Sequence, residues 1–267
     1  MAGETAATLD QDGPECFLGV ENSLRGKRWL SRDVDERQSL ALAQRLDLPE
    51  IVGRVLTSRG VGLEDAEDFL NPTLKGLLPD PSRLTGMDTA ADRLSRAVME
   101  GESIGIFGDY DVDGATSSAL LKRFFAAVGG QTKTHIPDRI KEGYGPNTEA
   151  LLKLKDGGVS VIVTVDCGTS AFEPLAQAAD AGLDVIVVDH HEAEAKLPQS
   201  TAVINPNRLD DDSGQGQLAA VGVAFLLVVA VNRALRAAGW YDTPPEPALT
   251  GWLALVALRT VCVGAPP

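Results

Sequence analysis

The chain has 267 residues and a net charge of −14, and this composition excludes several classes of protein. Hydrophobic residues make up 44% and charged residues 23%, which are ordinary values for a soluble globular chain and exclude a mainly disordered or fibrous one. The acidic excess argues against binding of nucleic acid through bulk positive charge. Three widely spaced cysteines argue against a disulfide scaffold and a structural zinc site, so a reducing cytoplasm is the expected compartment.

The N-terminus and the apolar runs give no indication of a membrane protein. The first residues are acidic and polar, without the basic and apolar pattern of a signal peptide. The longest apolar run, residues 221–231, is well short of the roughly 20 residues that span a bilayer. We therefore expect no membrane association.

The predicted organisation has three parts: a flexible leader at residues 1–28, a helical region at 29–100 and a larger domain at 101–267. In the last part, short β-branched runs alternate with amphipathic segments of helical length. Strands are predicted at residues 104–107, 132–136, 159–165, 185–188 and 202–204, and helices at 115–128, 147–155, 171–181, 219–238 and 248–258. This alternation predicts an α/β fold in which helices cover both faces of a mostly parallel sheet.

Acidic side chains follow three of the predicted strands. Asp109, Asp111 and Asp113 follow the first strand, Asp166 follows the third, and the run Asp189–His191 follows the fourth. Because the carboxyl ends of parallel strands share one edge, where ligands bind, we expect these groups to converge. Two carboxylates about 4 Å apart repel by roughly 4 kcal/mol at an effective dielectric constant of 20, so the cluster requires cations or shared protons.

Carboxylates with one or two imidazoles favour hard to borderline divalent cations such as Mn²⁺ or Mg²⁺. If the backbone is extended after the first strand, Asp111 and Asp113 lie on one face and serve different ions of a pair, with Asp166 between them. Two other interpretations stay open at this point. A calcium-binding EF-hand loop is disfavoured because Leu120 stands where its bidentate glutamate is required, and a solvated acidic turn explains any one of these motifs alone.

Three further features lie near the predicted sheet edge. The charged turn PDRIKEGYG, which contains Arg139, fits a phosphate-contacting loop and a solvated loop equally well. His135 is expected to be structural, and Cys167 is expected to be a small packed residue because no neighbouring base is evident.

The motifs GDYDVDGATS, IPDRIKEGYGPN, TVDCGTS, VDHH, INPN and LAAVGVAF occur in this order. Together they resemble the RecJ family of single-stranded-DNA-specific exonucleases in the DHH phosphoesterase superfamily, from about Trp29 to Cys262. The resemblance implies a 5′-to-3′ exonuclease of DNA repair and recombination that hydrolyses phosphodiester bonds with two Mn²⁺ or Mg²⁺ ions. It also implies single-stranded DNA as partner, with a single-strand-binding protein or helicase alongside, and a monomeric chain.

The resemblance assigns roles to particular residues. The metal-ligand positions are Asp109, Asp111, Asp113, Asp166 and His190. His191 matches the position that meets the scissile phosphate, and Asp189 orients its neighbours as a catalytic partner. Arg139 and Gly168 are the expected substrate-binding residues.

The end of the sequence departs from the family pattern. Family members carry a stretch resembling ALGTVADVVPL whose aspartate is a further metal ligand, whereas here Arg259 stands at the glycine and Val263 at the acid. The DHH-associated and OB-like domains of the family are absent from this sequence, so we expect a truncated catalytic half. Two alternatives follow: a DHH phosphoesterase for oligonucleotides or bisphosphates, and a non-catalytic DHH binding module with weakened metal binding.

Overall fold

The structure is a computed structural model that describes residues 15–242 and 244–262. The chain divides into two compact units between Leu78 and Pro79. Helix α5, which the sequence analysis assigns to the helical region, belongs to the second unit. Residues 1–14 of the expected leader lie outside the described residues, and the division into leader, helical region and domain stays a prediction.

The first unit is a small helical body. Its helices are α1 (Glu36–Arg45), α2 (Glu50–Thr57), α3 (Ala66–Leu70) and α4 (Leu74–Leu77), after a 3-10 turn at Phe17–Gly19. Asp35 caps α1, because its side chain accepts hydrogen bonds from the backbone N–H groups of Arg37 and Gln38. The helices bury Leu42, Leu56, Val61 and Ala66 in a core of their own.

The second unit is built on a sheet of five parallel strands. The strands are β1 (Ser103–Gly108), β2 (Gln131–His135), β3 (Val159–Val165), β4 (Asp184–Val188) and β5 (Ala202–Ile204), in the spatial order β2-β1-β3-β4-β5. The helices are α5 (Met87–Met99), α6 (Val112–Ala127), α7 (Thr148–Asp156), α8 (Phe172–Asp180), α9 (Ala220–Ala237) and α10 (Leu253–Cys262). The predicted α/β fold is confirmed, and each predicted strand agrees within one residue.

The helices form a layer on each face of the sheet. Helices α5, α6, α9 and α10 pack together on one face, and α7 and α8 cover the other, where Leu151, Leu154 and Leu175 meet Val185 and Val187. The apolar run VSVIVTV of β3 is buried along nearly its whole length, as expected for a central parallel strand. Because every strand pairs in parallel with its neighbours, β1, β3, β4 and β5 end at one edge of the sheet.

Helix α9 is apolar and buried over its first twelve residues, 220–231. By length and composition it is the one helix among the described residues that is long and apolar enough to cross a membrane. In the protein, 78% of this segment is buried, which is the behaviour of a core helix. It lies against α5, α6 and the central strands.

Candidate metal centre

The first acidic motif forms the junction between β1 and α6. Asp109 follows the strand and is 4% exposed, while Asp111 caps the helix by accepting hydrogen bonds from Asp113 N at 2.8 Å and Gly114 N at 3.0 Å. Gly114 allows this close turn, since a Cβ there would lie 2.6 Å from the carbonyl carbon of Asp109. The extended backbone assumed for residues 111–113 is therefore wrong: the helix begins at Val112, three residues before the predicted start.

Asp113 points into the protein from the first turn of α6, and its side chain is 2% exposed. The N-terminus of α9 donates two hydrogen bonds to it, from Ala220 N at 3.1 Å and Val221 N at 2.9 Å. Arg259 of α10 makes an ion pair with the same carboxylate, with Nε at 2.9 Å from Oδ2. The motif LAAVGVAF thus has a structural task, which is to present the amide end of α9 to an acidic side chain.

Asp166 lies at the centre of the strand ends. It has a left-handed backbone conformation with φ of 62°, which aspartate adopts more readily than most residues, and its N–H donates to Val188 O. Its Oδ1 lies 3.3 Å from His190 Nε2, which is also 3.6 Å from Asp113 Oδ2. Tyr144 donates its hydroxyl to the Asp166 carbonyl at 3.0 Å, so the loop after β2 closes over this turn.

Asp189 organises the two histidines that follow it. Its buried Oδ1 accepts from His190 N at 2.8 Å, His191 N at 3.3 Å and His191 Nδ1 at 2.7 Å. Its Oδ2 accepts from Thr169 N at 3.1 Å. The carboxylate therefore fixes the backbone of both histidines and the orientation of the His191 ring, whose Nδ1 donates to it.

Two asparagines of the INPN motif hold the same turn from the next strand. Asn205 Nδ2 donates to His191 O at 2.8 Å and to Thr169 Oγ1 at 3.1 Å, and Asn207 Nδ2 donates to His190 O at 2.5 Å. The sequence analysis assigned no role to either residue. The available signal was the position of the motif directly after β5, at the edge where the acids were expected.

Seven of the predicted residues meet at this edge. Ligand atoms lie within 4.8 Å of one another in two groups of three, Asp109–Asp111–Asp166 and Asp166–His190–His191, with Asp166 common to both. Asp113 lies outside both groups but contacts His190. Asp109 Oδ1 is buried and has no hydrogen-bond partner among the described residues, so a cation that accepts this oxygen fits the donor set.

Burial and like charge perturb the ionisation of these groups. Burial raises the pKa of Asp166 to about 6, against the hydrogen bond from His190, and the nearby Asp113 and Asp111 carboxylates add to the shift. Burial likewise raises the pKa of Asp109, whereas the hydrogen bond with Asp166 raises that of His190. Such shifts are typical of carboxylates that are buried close to one another.

In the Asp189–His191 pair, the pKa of the carboxylate is lowered and that of the imidazole is raised. The hydrogen bond to Asp189 raises the pKa of His191 to about 9 although the ring is partly desolvated. Burial opposes ionisation of Asp189, but the hydrogen bonds from His191 and Thr169 lower its pKa to about 2. At neutral pH the pair is therefore an imidazolium and a carboxylate.

The remaining predicted residues lie around the cluster. The exposed guanidinium of Arg139 lies 5.0 Å from the centroid of the Tyr110 ring, so the charged turn borders the first motif. Gly168 is buried with φ of 113°, and a Cβ there would lie 2.7 Å from Thr164 Oγ1. The packing at this position therefore leaves no room for a side chain. Contact of either residue with substrate stays a prediction.

His135 and Cys167 have the structural surroundings expected for them. His135 Nε2 lies 2.9 Å from Glu142 Oε2, within the turn that carries Arg139. Burial raises the pKa of the Cys167 thiol, which makes it a poor nucleophile at neutral pH. Val263, at the position of the expected further acid, lies outside the described residues.

Comparisons with known proteins agree with this geometry. The DHH family, N-terminal domain, matches residues 103–257. The single-stranded-DNA-specific exonucleases RecJ of Salmonella typhimurium and Bacillus subtilis are 40% and 37% identical over 240 and 204 residues, or 88% and 76% of this chain. These alignments span 40% and 26% of the relatives' own lengths.

A solved structure shares the architecture. The crystal structure of RecJ from Thermus thermophilus in complex with Mn²⁺ matches 89% of this chain and 32% of that protein, with a TM-score of 0.70 and 29% identity. The resemblance to RecJ is confirmed over most of the chain. From the family match over residues 103–257 and the converging acids and histidines, the chain belongs to the DHH family.

Proposed function

We propose that this chain is the catalytic half of a RecJ-type exonuclease, which hydrolyses single-stranded DNA from the 5′ end with two divalent cations. The observation that carries the proposal is the position of Asp166, whose carboxylate is common to two groups of possible ligands. Asp166 would therefore contribute to the binding of both ions. The RecJ relatives and the Mn²⁺ complex supply the substrate class and the metal.

The ligand sets divide between the two cations. Asp109, Asp111 and Asp166 would hold one Mn²⁺ or Mg²⁺. Asp166 and His190 would hold the other, together with Asp113, whose Oδ2 lies 3.6 Å from His190 Nε2. When bound, such a pair lowers the pKa of water and stabilises charge on the attacking and leaving oxygens of a phosphodiester. The buried Asp109 Oδ1 supports this assignment, because it has no hydrogen-bond partner among the described residues and is left to bind a cation.

His191 is suited to contact the scissile phosphate. Asp189 holds Nδ1, so Nε2 of the half-exposed ring is left for a substrate oxygen. A pKa raised to about 9 keeps the imidazolium protonated at neutral pH, and it can donate a charge-assisted hydrogen bond to a phosphate. The buried network of Asp189, Thr169 and Asn205 sets the direction of this donor.

Substrate binding is proposed for the residues that border the cluster. Tyr110 offers a ring on which a base can stack, and Arg139 offers a cation for a phosphate of the strand. The net charge of −14 indicates that bulk attraction does not hold the DNA, so bound cations and local contacts carry the binding. A role in repair and recombination, a helicase or single-strand-binding partner, a monomeric state and a cytoplasmic location remain part of this proposal.

The experiment is digestion of single-stranded DNA labelled at one end, in excess Mn²⁺. We expect a labelled mononucleotide to appear at once from 5′-labelled strands and only at the end from 3′-labelled strands, with duplex DNA resistant. Asp166→Asn should abolish release of the mononucleotide. Asp184→Asn changes the start of β4, at the end of the strand away from the acidic cluster, and should retain this activity. Cleavage of dinucleotides alone would favour a small-substrate phosphoesterase, and absence of both activities would contradict the proposal.

A further inference from the structure

Arg259 places a positive charge inside the acidic cluster. It projects from α10, which packs on α6, and its Nε lies 2.9 Å from Asp113 Oδ2. The Arg259 side chain is 14% exposed and that of Asp113 is 2% exposed, so the ion pair is largely withdrawn from water. The positive charge also lowers the pKa of Asp111, although burial and hydrogen bonds have larger effects on that group.

The surroundings of Asp113 differ from those of the neighbouring acids. Its two oxygens already accept two backbone N–H groups and the guanidinium, with His190 Nε2 a further contact at 3.6 Å. In contrast, Asp109 Oδ1 has no partner among the residues described. Protein groups therefore satisfy Asp113, whereas Asp109 Oδ1 is left to bind a cation.

A guanidinium at this distance and a divalent cation on the same oxygen compete for its lone pairs and repel each other. Both charges are positive, and the low exposure of the pair limits screening by water. The arginine therefore opposes binding of a second cation at Asp113 Oδ2. Arg259 lies in the last turn of α10, so the charge enters the cluster from the segment where the family pattern places a further acidic ligand.

We propose that Arg259 is a built-in competitor for the second of the two cations. This inference rests on the proposed function, because it assumes the two ligand sets described above. At low Mn²⁺ the chain holds one ion at Asp109, Asp111 and Asp166. A second ion binds beside Asp113 and His190 only by displacing the guanidinium.

The test is an Mn²⁺ titration of the whole chain, read by the electron paramagnetic resonance signal of free Mn²⁺. We expect one bound ion in the wild type and a much weaker second one. Arg259→Gln and Arg259→Ala should each strengthen the second site at least about tenfold, equivalent to ~1.4 kcal/mol. Adding Asp113→Asn to Arg259→Gln should remove this gain. Arg233→Gln, which breaks the exposed ion pair of Arg233 with Asp80, should change neither site.

The outcomes separate the two proposals. Equal stoichiometry and affinity in the wild type and both Arg259 variants would overturn the inference while leaving the metal centre intact. Failure of every variant to bind Mn²⁺ would overturn the proposed function and the inference together. Thermal melts in EDTA show which variants fold, and the two Arg259 substitutions, one polar and one small, provide independent versions of the charge removal.

Discussion

Replacement of Asp189 by asparagine tests whether this carboxylate holds the histidine turn together. In the wild type its Oδ1 accepts three hydrogen bonds from His190 and His191, and its Oδ2 accepts one from Thr169 N. In Asp189→Asn the amide oxygen retains the first set, but the NH₂ group faces the N–H of Thr169. Two donors then oppose each other in a site that is 2% exposed.

The expected change in the free energy of unfolding follows from these contacts. A buried N–H without an acceptor costs about 1–3 kcal/mol, and loss of the charge weakens the other hydrogen bonds by roughly 1 kcal/mol. The ring of His191 is half-exposed, so water screens its interaction with Asp189. We therefore take the lower end of the range for that hydrogen bond. We therefore expect Asp189→Asn to lower the free energy of unfolding by about 2–4 kcal/mol.

The assay is urea unfolding at pH 7 in EDTA, followed by circular dichroism. The matched control is Asp184→Asn at the start of the same strand, where the half-exposed carboxylate pairs with Arg93 at 2.6 Å. Arg93 keeps its bonds to Glu102, so this change should stay within about 1 kcal/mol. An Asp189→Asn variant as stable as this control would show that the Asp189 carboxylate does not hold the histidine turn together.

Two further predictions concern the strand ends. Asp166→Asn should stabilise the metal-free protein at pH 8 by roughly 1–3 kcal/mol, because the pKa of Asp166 is raised to about 6 by burial and its ionisation opposes folding. The stability that protonated Asp166 gives the wild type is present below pH 4 and is lost as the pH rises through about 6. The difference in stability between the two proteins should therefore shrink in acid. A difference that does not change with pH would contradict the raised pKa of Asp166. Gly114→Ala should destabilise by about 2 kcal/mol or more, because its Cβ meets the backbone of Asp109, whereas Gly251→Ala has open space and should stay within about 1 kcal/mol. Equal melting temperatures for these two alanine variants would show that the junction tolerates a side chain.

The sequence predicted the sheet and the convergence of acids because both follow from local patterns. The β-branched run VSVIVTV is typical of a buried strand in an alternating α/β chain, and an acid at its end is expected at the common edge. The error at residues 111–113 is also local. Asp111 is a good helix cap, and Asp113 and Gly114 follow it at the positions whose N–H groups need an acceptor.

Other parts of the site depend on contacts between distant segments. The pairing of Arg259 with Asp113 joins residues from α10 and α6, and the hydrogen bonds from the start of α9 to Asp113 span more than 100 positions. The amide contacts of Asn205 and Asn207 similarly depend on the position of β5 beside β4. Periodicity and spacing describe single segments, so they could not supply these contacts.

The most direct test of the metal centre is an anomalous difference map from crystals of this chain grown with Mn²⁺. We expect a peak between the carboxylates of Asp109, Asp111 and Asp166, in contact with the oxygen of Asp109 that has no protein partner among the described residues. A map without a peak at this edge of the sheet, from crystals that diffract well at saturating Mn²⁺, would contradict it.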